Sequence, residues 1–143
     1  MTNPSTASLW TIDYTTLYIL NNLVKLDFGS VDIVNMVSKI TTKLNLKEDI
    51  NAFTNEENIQ QILKSAEKAD NVIIAWGKLG ENNKKIKAIQ DNVLGRLKPY
   101  QDKLYIITSD TGEFGFHPLA PQIRFTWVLA EFVIPEKKED KQL

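Results

Sequence analysis

Two short polar segments contain the residues best suited to chemistry in this sequence. Near the N-terminus, Asn3-Pro4-Ser5 combines an amide and a hydroxyl with a proline that fixes one backbone dihedral. Near the C-terminus, His117-Pro118-Leu119 contains the only histidine of the chain. A histidine held at the mouth of a cleft can donate to a developing oxyanion or transfer a proton. We therefore expect these two segments to form the functional face.

Each segment also has a purely structural interpretation. Asn, Pro and Ser are the residue types that form turns and cap helices, and a histidine can simply hydrogen-bond within its own loop. The segment from Trp76 to Glu81 contains two glycines whose amides could hold a phosphate. It lacks the Gly-Lys-Ser/Thr ending of a P-loop, and Glu81 would repel an anion, and both features argue against phosphate binding.

The composition excludes several classes of protein. The 143 residues fit one domain, and the absence of cysteine excludes disulfides and thiolate chemistry. A single histidine excludes a multi-histidine metal cage, so we expect no metal and no other cofactor. No apolar run is long enough to span a bilayer, which favours a cytoplasmic protein without a membrane partner. The formal charge of −1 means that any nucleic-acid binding must come from a local patch.

Helical and strand patterns alternate along the chain. Apolar spacing and capping signals predict helices over residues 13–27, from residue 54 after Thr54-Asn55-Glu56-Glu57, and over residues 81–98. Gly29 should close the first helix and Pro99 should end the third. Runs rich in β-branched residues predict strands over 31–37, 72–76 and 104–108, the second central and parallel. Residues 38–53 are assigned to a connection, and the composition of 123–134 favours a helix over a strand.

This alternation predicts an α/β fold with three αβα layers and a small, mainly parallel sheet. We expect a single domain over residues 1–134 and a polar C-terminal tail over 135–143. In such folds the ligand crevice lies beyond the carboxyl ends of the strands. The candidate loops are therefore those that follow Met36, Trp76 and Thr108.

A set of short motifs, in order, resembles a known family. Asn3-Pro4-Ser5-Thr6-Ala7, Val34-Asn35-Met36, Ala75-Trp76-Gly77 and His117-Pro118-Leu119 are similar to motifs of the bacterial and phage family catalogued as domain of unknown function 1643. The resemblance extends to about Leu119. It implies an α/β fold and no particular reaction.

More distantly, the Asn-Pro-Ser, Trp-Gly and His-Pro segments resemble loops of the uracil-DNA glycosylase superfamily. That resemblance implies that Asn3 positions the attacking water and that His117 steadies the charge on the departing base. Asn35 would read the base, and Pro4, Ser5, Trp76, Gly77 and Pro118 would complete the ligand-binding site. Enzymes of this class flip the base into a pocket and need aromatic neighbours and amides more than metals.

The chain also departs from the glycosylase pattern. No strand precedes Asn3, which implies either a start upstream of Met1 or the loss of a central strand, and Leu119 replaces a small hydroxyl residue. The resemblance therefore implies a nucleic-acid or nucleobase-processing protein, either a DNA glycosylase-like hydrolase or an inactive relative. Its partner would be single-stranded or uracil-containing DNA, a nucleobase or a nucleotide. One alternative is a noncatalytic module that uses the same cleft for a protein partner or nucleotide. Another is an exposed aromatic patch that pairs subunits, drawn from Trp10, Phe125, Trp127 and Phe132.

Overall fold

The computed structural model describes residue 1, residues 13–37 and residues 54–136. Helices and strands are interspersed along these residues, which confirms the predicted α/β class. The catalytic candidate Asn3, with Pro4 and Ser5, lies outside the described residues, as do the connection 38–53 and most of the predicted tail. The elements are α1 (Tyr14–Lys25), α2 (Glu56–Lys68), β1 (Val72–Ile74), α3 (Lys84–Leu97), β2 (Leu104–Thr108) and β3 (Val128–Glu131).

Aspartates flank helix α1 on both sides. The side chain of Asp13 accepts a hydrogen bond of 2.7 Å from the backbone amide of Thr16 and so caps the N-terminus. At the other end Asp27 has a φ of 62°, in the left-handed region. The amides of Asp27 and Phe28 donate to the carbonyls of Val24 and Leu23, which is the Schellman arrangement. The prediction that Gly29 closes this helix is wrong, because Asp27 adopts the left-handed conformation two residues earlier.

Asparagine side chains cap the two other helices. Asn55 accepts from the amide of Asn58 at the start of α2, one residue after the Thr54 that the sequence pattern suggests. Asn83 accepts from two amides at the start of α3, which begins later than predicted because residues Leu79–Glu81 form a separate 3₁₀ turn. None of the helices in the described residues is long and apolar enough to cross a bilayer.

The strands described form a mixed sheet in the order β1-β2-β3. Strands β1 and β2 are parallel, with Val72 opposite Leu104, whereas β2 and β3 are antiparallel, with Thr108 opposite Val128. The expectation of a mainly parallel sheet with β1 at its centre is therefore wrong for the described residues, since β2 is central. The helix favoured for 123–134 is also wrong: the ladder with β2 outweighs the helical composition of Leu129, Ala130 and Glu131.

The strand predicted over 31–37 is not formed. Residues 31–35 have no regular secondary structure, and among the described residues the backbone-to-backbone hydrogen bonds of the segment 31–37 join it to Met1. The Met1 amine donates to the carbonyl of Val34 at 2.8 Å, and the amide of Met36 donates to the carbonyl of Met1 at 2.7 Å. This is the bond pattern of a parallel strand pair centred on Asn35, but two bonds do not make a ladder.

Two apolar cores lie on opposite faces of the sheet. The first contains Ile62 of α2, Ile89 of α3 and Leu104 of β2. The second contains Ile19 and Leu23 of α1 with Ile107 of β2. Because successive side chains of a strand point to opposite faces, Leu104 and Ile107 can serve different cores. The helices therefore lie in two layers with the sheet between them.

Candidate functional site

The loop after β1 touches the loop after β2. Gly77 has a φ of 72°, and a Cβ atom built on it would lie 3.1 Å from the Cβ of His117. The glycine thus lets the backbone of one loop approach the histidine of the other. Two of the three loops that the sequence places at the carboxyl ends of the strands are in direct contact.

His117 is fixed by a tight turn of its own loop. Its Nδ1 atom accepts a hydrogen bond of 3.2 Å from the amide of Leu119, and its carbonyl accepts one of 2.8 Å from the amide of Ala120. Pro118, at the second position of the turn, is fully buried and has the φ that this position requires. In the neutral ring an Nδ1 acceptor implies that the proton is on Nε2. The structure therefore presents His117 as a neutral hydrogen-bond donor through Nε2.

Burial keeps this histidine neutral. The pKa of His117 is lowered from 6.5, first by partial burial and second by repulsion from the Met1 α-ammonium group. Burial also lowers the pKa of the Met1 amine, to about 5, so this repulsion acts only in acid, where the amine is protonated. At neutral pH both groups are uncharged, and burial is the cause that matters.

An aromatic ring and a cation adjoin His117. Phe116 is buried in the second core, and the Nζ of Lys78 lies 5.9 Å from the centre of its ring. Lys78 directly follows Gly77 and is exposed, so it supplies a mobile positive charge next to the loop contact. On the other side of the loop Phe114 is 66% exposed and Leu119 is 38% exposed.

Asn35 is joined to this region through Met1. The Oδ1 atom of Asn35 is buried and has no hydrogen-bond partner among the described residues. The carbonyl of the same residue accepts from Asn58 Nδ2 at 2.9 Å, which fixes its backbone. Met1 bonds to the residues on either side of Asn35, and its amine is near enough to His117 to affect the pKa of that ring. An unsatisfied buried acceptor of this kind is costly unless a ligand or water completes it.

The predicted site residues fall into three groups. The structure brings Gly77, His117 and Pro118 together, and Trp76 precedes them with its ring packed on the first core. Asn35 is linked to them only through Met1. The third group, Asn3, Pro4 and Ser5, lies outside the described residues, so the predicted pairing of Asn3 with His117 stays a prediction.

Sequence reasoning missed Asn22. This residue of α1 is 1% exposed, and its Nδ2 atom donates to the carbonyls of Tyr18 and Arg124 at 2.8 and 2.9 Å. Its Oδ1 atom accepts from the amide of Trp127 at 3.0 Å. The only signal in the sequence is that Asn22 interrupts the apolar stripe of α1, directly before Leu23.

Of the aromatic residues considered for a subunit-pairing patch, Trp10 lies outside the described residues and Trp127 is buried. Phe132 packs against the first core, which leaves Phe125 exposed. In the part of the chain described, no cluster of three or more His, Asp or Glu side chains could hold a metal ion.

Comparison with known proteins gives one match. No curated protein and no solved structure matches this chain, so the resemblance to uracil-DNA glycosylases gains no support from them. The family described as "Protein of unknown function (DUF1643)" matches residues 1–119, which include Asn35, the Trp76-Gly77 loop and the His117 turn. The chain belongs to the DUF1643 family of proteins of unknown function.

Proposed function

We propose that this protein binds, and in its active form processes, a nucleobase in single-stranded or uracil-containing DNA, with a site similar to that of uracil-DNA glycosylases. The observation that carries the proposal is the fixed, neutral His117, whose Nε2 is a donor. Such a donor can bind a base carbonyl and can stabilise the negative charge that develops when the base leaves. Asn3 would position the attacking water, as the resemblance implies.

Asn35 supplies the complementary group. Its buried Oδ1 atom is an acceptor without a described partner, and His117 is a donor. The edge of uracil presents a ring N–H between two carbonyl oxygens, so it needs one acceptor and at least one donor. Asn35 Oδ1 would accept from the ring N–H, and His117 Nε2 would donate to a carbonyl oxygen. Trp76, Gly77 and Pro118 would shape the pocket around this edge.

Positive charge near the site is local. Lys78 lies over the ring of Phe116 beside the loop contact, while the chain as a whole carries a formal charge of −1. A few local contacts to phosphate give weak binding that decreases moderately with salt. We therefore expect detectable binding to short single strands at low salt and a preference that comes from the base.

The test is fluorescence anisotropy with labelled single-stranded DNA that either contains or lacks one uracil, at low and moderate salt. We expect salt-sensitive binding that prefers the uracil strand, followed by an assay for release of the free base. His117→Asn is the informative variant, because its amide oxygen can accept from the amide of Leu119 as Nδ1 does. It keeps the turn and removes the Nε2 donor.

The uracil preference should fall about fivefold in His117→Asn, the size of one hydrogen bond. Asn35→Leu should cause a similar loss, because it removes the free acceptor. Lys25→Gln is the control for general charge effects, since the Lys25 side chain donates to the carbonyl of Phe125 and belongs to α1 rather than to the Gly77 or His117 loop. No binding at low salt, or equal binding by all variants, would contradict the proposal.

A second candidate function is a noncatalytic module that binds a protein partner at the same loops. Phe114 and Leu119 are large apolar side chains exposed on the His117 loop, and Leu119 stands where the glycosylase pattern has a hydroxyl residue. Exposed apolar side chains next to polar ones are typical of interaction sites. Absence of DNA binding, together with loss of a captured partner in Phe114→Ser, would favour this function.

A further inference from the structure

A long groove lies between β1 and the segment that follows α1. Its volume is about 580 Å³, and its two sides are formed by residues 28–34 and residues 68–73. Ile19 and Leu23 of α1 and Ile62 and Ala66 of α2 also line it. The helices belong to different cores, so the groove lies in the sheet layer with a helical layer on each face.

The two sides of the groove have the alternation of strands. Val72 packs against the first core and Ile73 against the second. On the opposite side, Val34 packs against the first core and Ile33 against the second. A backbone whose side chains alternate in this way lies in the plane of a sheet, although residues 31–35 pair with no strand among the described residues. Each side of the groove is about as long as an ordinary strand.

The edges facing the groove offer hydrogen-bonding groups. Strand β1 pairs with β2 on one side only in the described sheet, so its other edge is open. On the opposite side, the carbonyl of Val34 and the amide of Met36 bond to Met1, which lines the groove. In an extended chain the backbone groups of residues two apart point to the same side. The N–H and C=O of Asp32 therefore point to the same side as those of Val34.

Two residues that line the groove contain buried polar groups. Trp127 lines the groove and is 5% exposed, and its indole Nε1 donor has no acceptor among the described residues. The α-amine of Met1 is buried beside the groove and donates to the carbonyl of Val34.

We propose that this groove binds one extended, continuously apolar peptide strand of a partner protein, which pairs with the edge of β1 and with residues 31–34. An added strand would complete the middle of the sheet by β-augmentation. Because an apolar helical face covers it on both sides, each of its side chains would be buried, and the strand should consist of β-branched apolar residues. The site is separate from the function proposed for His117 and does not depend on it.

The probe is a fluorescein-labelled synthetic peptide of alternating valine and isoleucine, flanked by lysines for solubility. Its control is the same peptide with alternate backbone nitrogens methylated, which keeps the apolar side chains but removes the donors on one edge. We expect saturable binding of the first peptide, with binding of the methylated peptide weaker by about tenfold or more, since several hydrogen bonds are lost. Amide hydrogen exchange should slow at residues 31–34 and 72–74.

A matched pair of variants tests the edge at Asp32. This residue is exposed, and its carboxylate accepts from the Ser65 hydroxyl. Both Asp32→Ala and Asp32→Pro lose that side-chain contact, but only the proline removes the backbone N–H. Peptide affinity should be about fivefold lower in the proline variant than in the alanine variant, the effect of one hydrogen bond.

Three results would overturn the proposal. Equal affinity for the two peptides would show that they bind through their apolar side chains alone, without strand pairing. Unchanged amide exchange at residues 31–34 and 72–74 would place the peptide elsewhere. Sedimentation of the free protein as a dimer that the peptide does not dissociate, with those amides already protected, would show that a second copy fills the groove.

Discussion

The left-handed conformation of Gly77 determines how closely its loop approaches His117. A side chain at this position would meet two obstacles, the φ of 72° and the Cβ of His117 at 3.1 Å. Gly112 has a similar φ of 83° but no atom within 4 Å of the place where its Cβ would lie. Alanine substitution at Gly112 therefore measures the cost of backbone strain alone, whereas substitution at Gly77 adds the cost of the contact with His117.

We expect Gly112→Ala to lower the free energy of unfolding by about 1 kcal/mol, the strain of a left-handed alanine. Gly77→Ala should cost about 2 kcal/mol, because the His117 turn must also shift. Urea unfolding measures both values, and the imidazole NMR signals of His117 should move only in Gly77→Ala. Equal costs with unchanged imidazole signals would contradict the assigned contact.

Asn22 joins α1 to the segment before β3 through buried hydrogen bonds. Asn22→Leu would leave the amide of Trp127 and the carbonyl of Arg124 without their partner. We expect a loss of about 2–4 kcal/mol in the free energy of unfolding, since two buried backbone groups lose their bonds. The adjacent, exposed Asn21 provides the control, and Asn21→Leu should change the stability little. Similar losses in both variants would contradict the role assigned to Asn22.

At the scale of elements, the C-terminus of α1 is less stable than it would be with glycine at position 27. Asp27 adopts the left-handed conformation that suits glycine, and its carboxylate lies at the negative end of the helix dipole. Asp27→Gly should raise the free energy of unfolding by about 0.5–1 kcal/mol. Gly29→Ala should be neutral or slightly stabilising, because that position has open space and no positive φ. Thermal unfolding of both variants tests this, and destabilisation by Asp27→Gly would contradict it.

Local sequence signals located most of the helices and strands. Caps and apolar stripes are local, so α1, α2, α3 and the strands β1 and β2 lie near their predicted places. Strand β3 and the absence of a strand at 31–35 depend on which segments pair across the sheet. Pairing of distant segments leaves no periodic signal in a short apolar run, because burial and ladder formation decide it.

The candidate site was predictable to the same extent. The rule that ligands bind beyond the carboxyl ends of strands selected the loops of Gly77 and His117, which are in contact. The buried Oδ1 of Asn35 and the donor state of His117 depend on burial and on bonds between distant residues. No spacing in the sequence indicates them.

At the scale of the whole molecule, Met1 links the groove to the electrostatics of His117. This residue lines the groove, its amine bonds to Val34, and the protonated amine lowers the pKa of His117. A protonated amine in this place must be desolvated, whereas an uncharged one is tolerated. Acid should therefore destabilise the fold through a residue that lines the groove.

The sign of this effect follows from the two lowered pKa values. Burial takes the pKa of the Met1 amine from 8.0 to about 5 and lowers that of His117 from 6.5. In both cases the unfolded chain binds the proton more tightly, so these groups reduce stability as the pH falls below their unfolded pKa values. Between pH 8 and 6.5 the amine dominates, and the free energy of unfolding should drop by about 1.5 kcal/mol.

Urea unfolding at several pH values between 8 and 5.5 measures the decrease. N-terminal acetylation is the control, because an amide keeps a donor for the Val34 carbonyl but cannot take up a proton. The acetylated chain should lose the slope between pH 8 and 6.5 and keep the smaller decrease below 6.5 that comes from His117. His117→Asn should show the reverse, with the upper slope retained and the His117 contribution gone. A flat profile from pH 8 to 6.5 in the unmodified chain would mean that the Met1 amine is solvated and lies outside the region between the groove and His117.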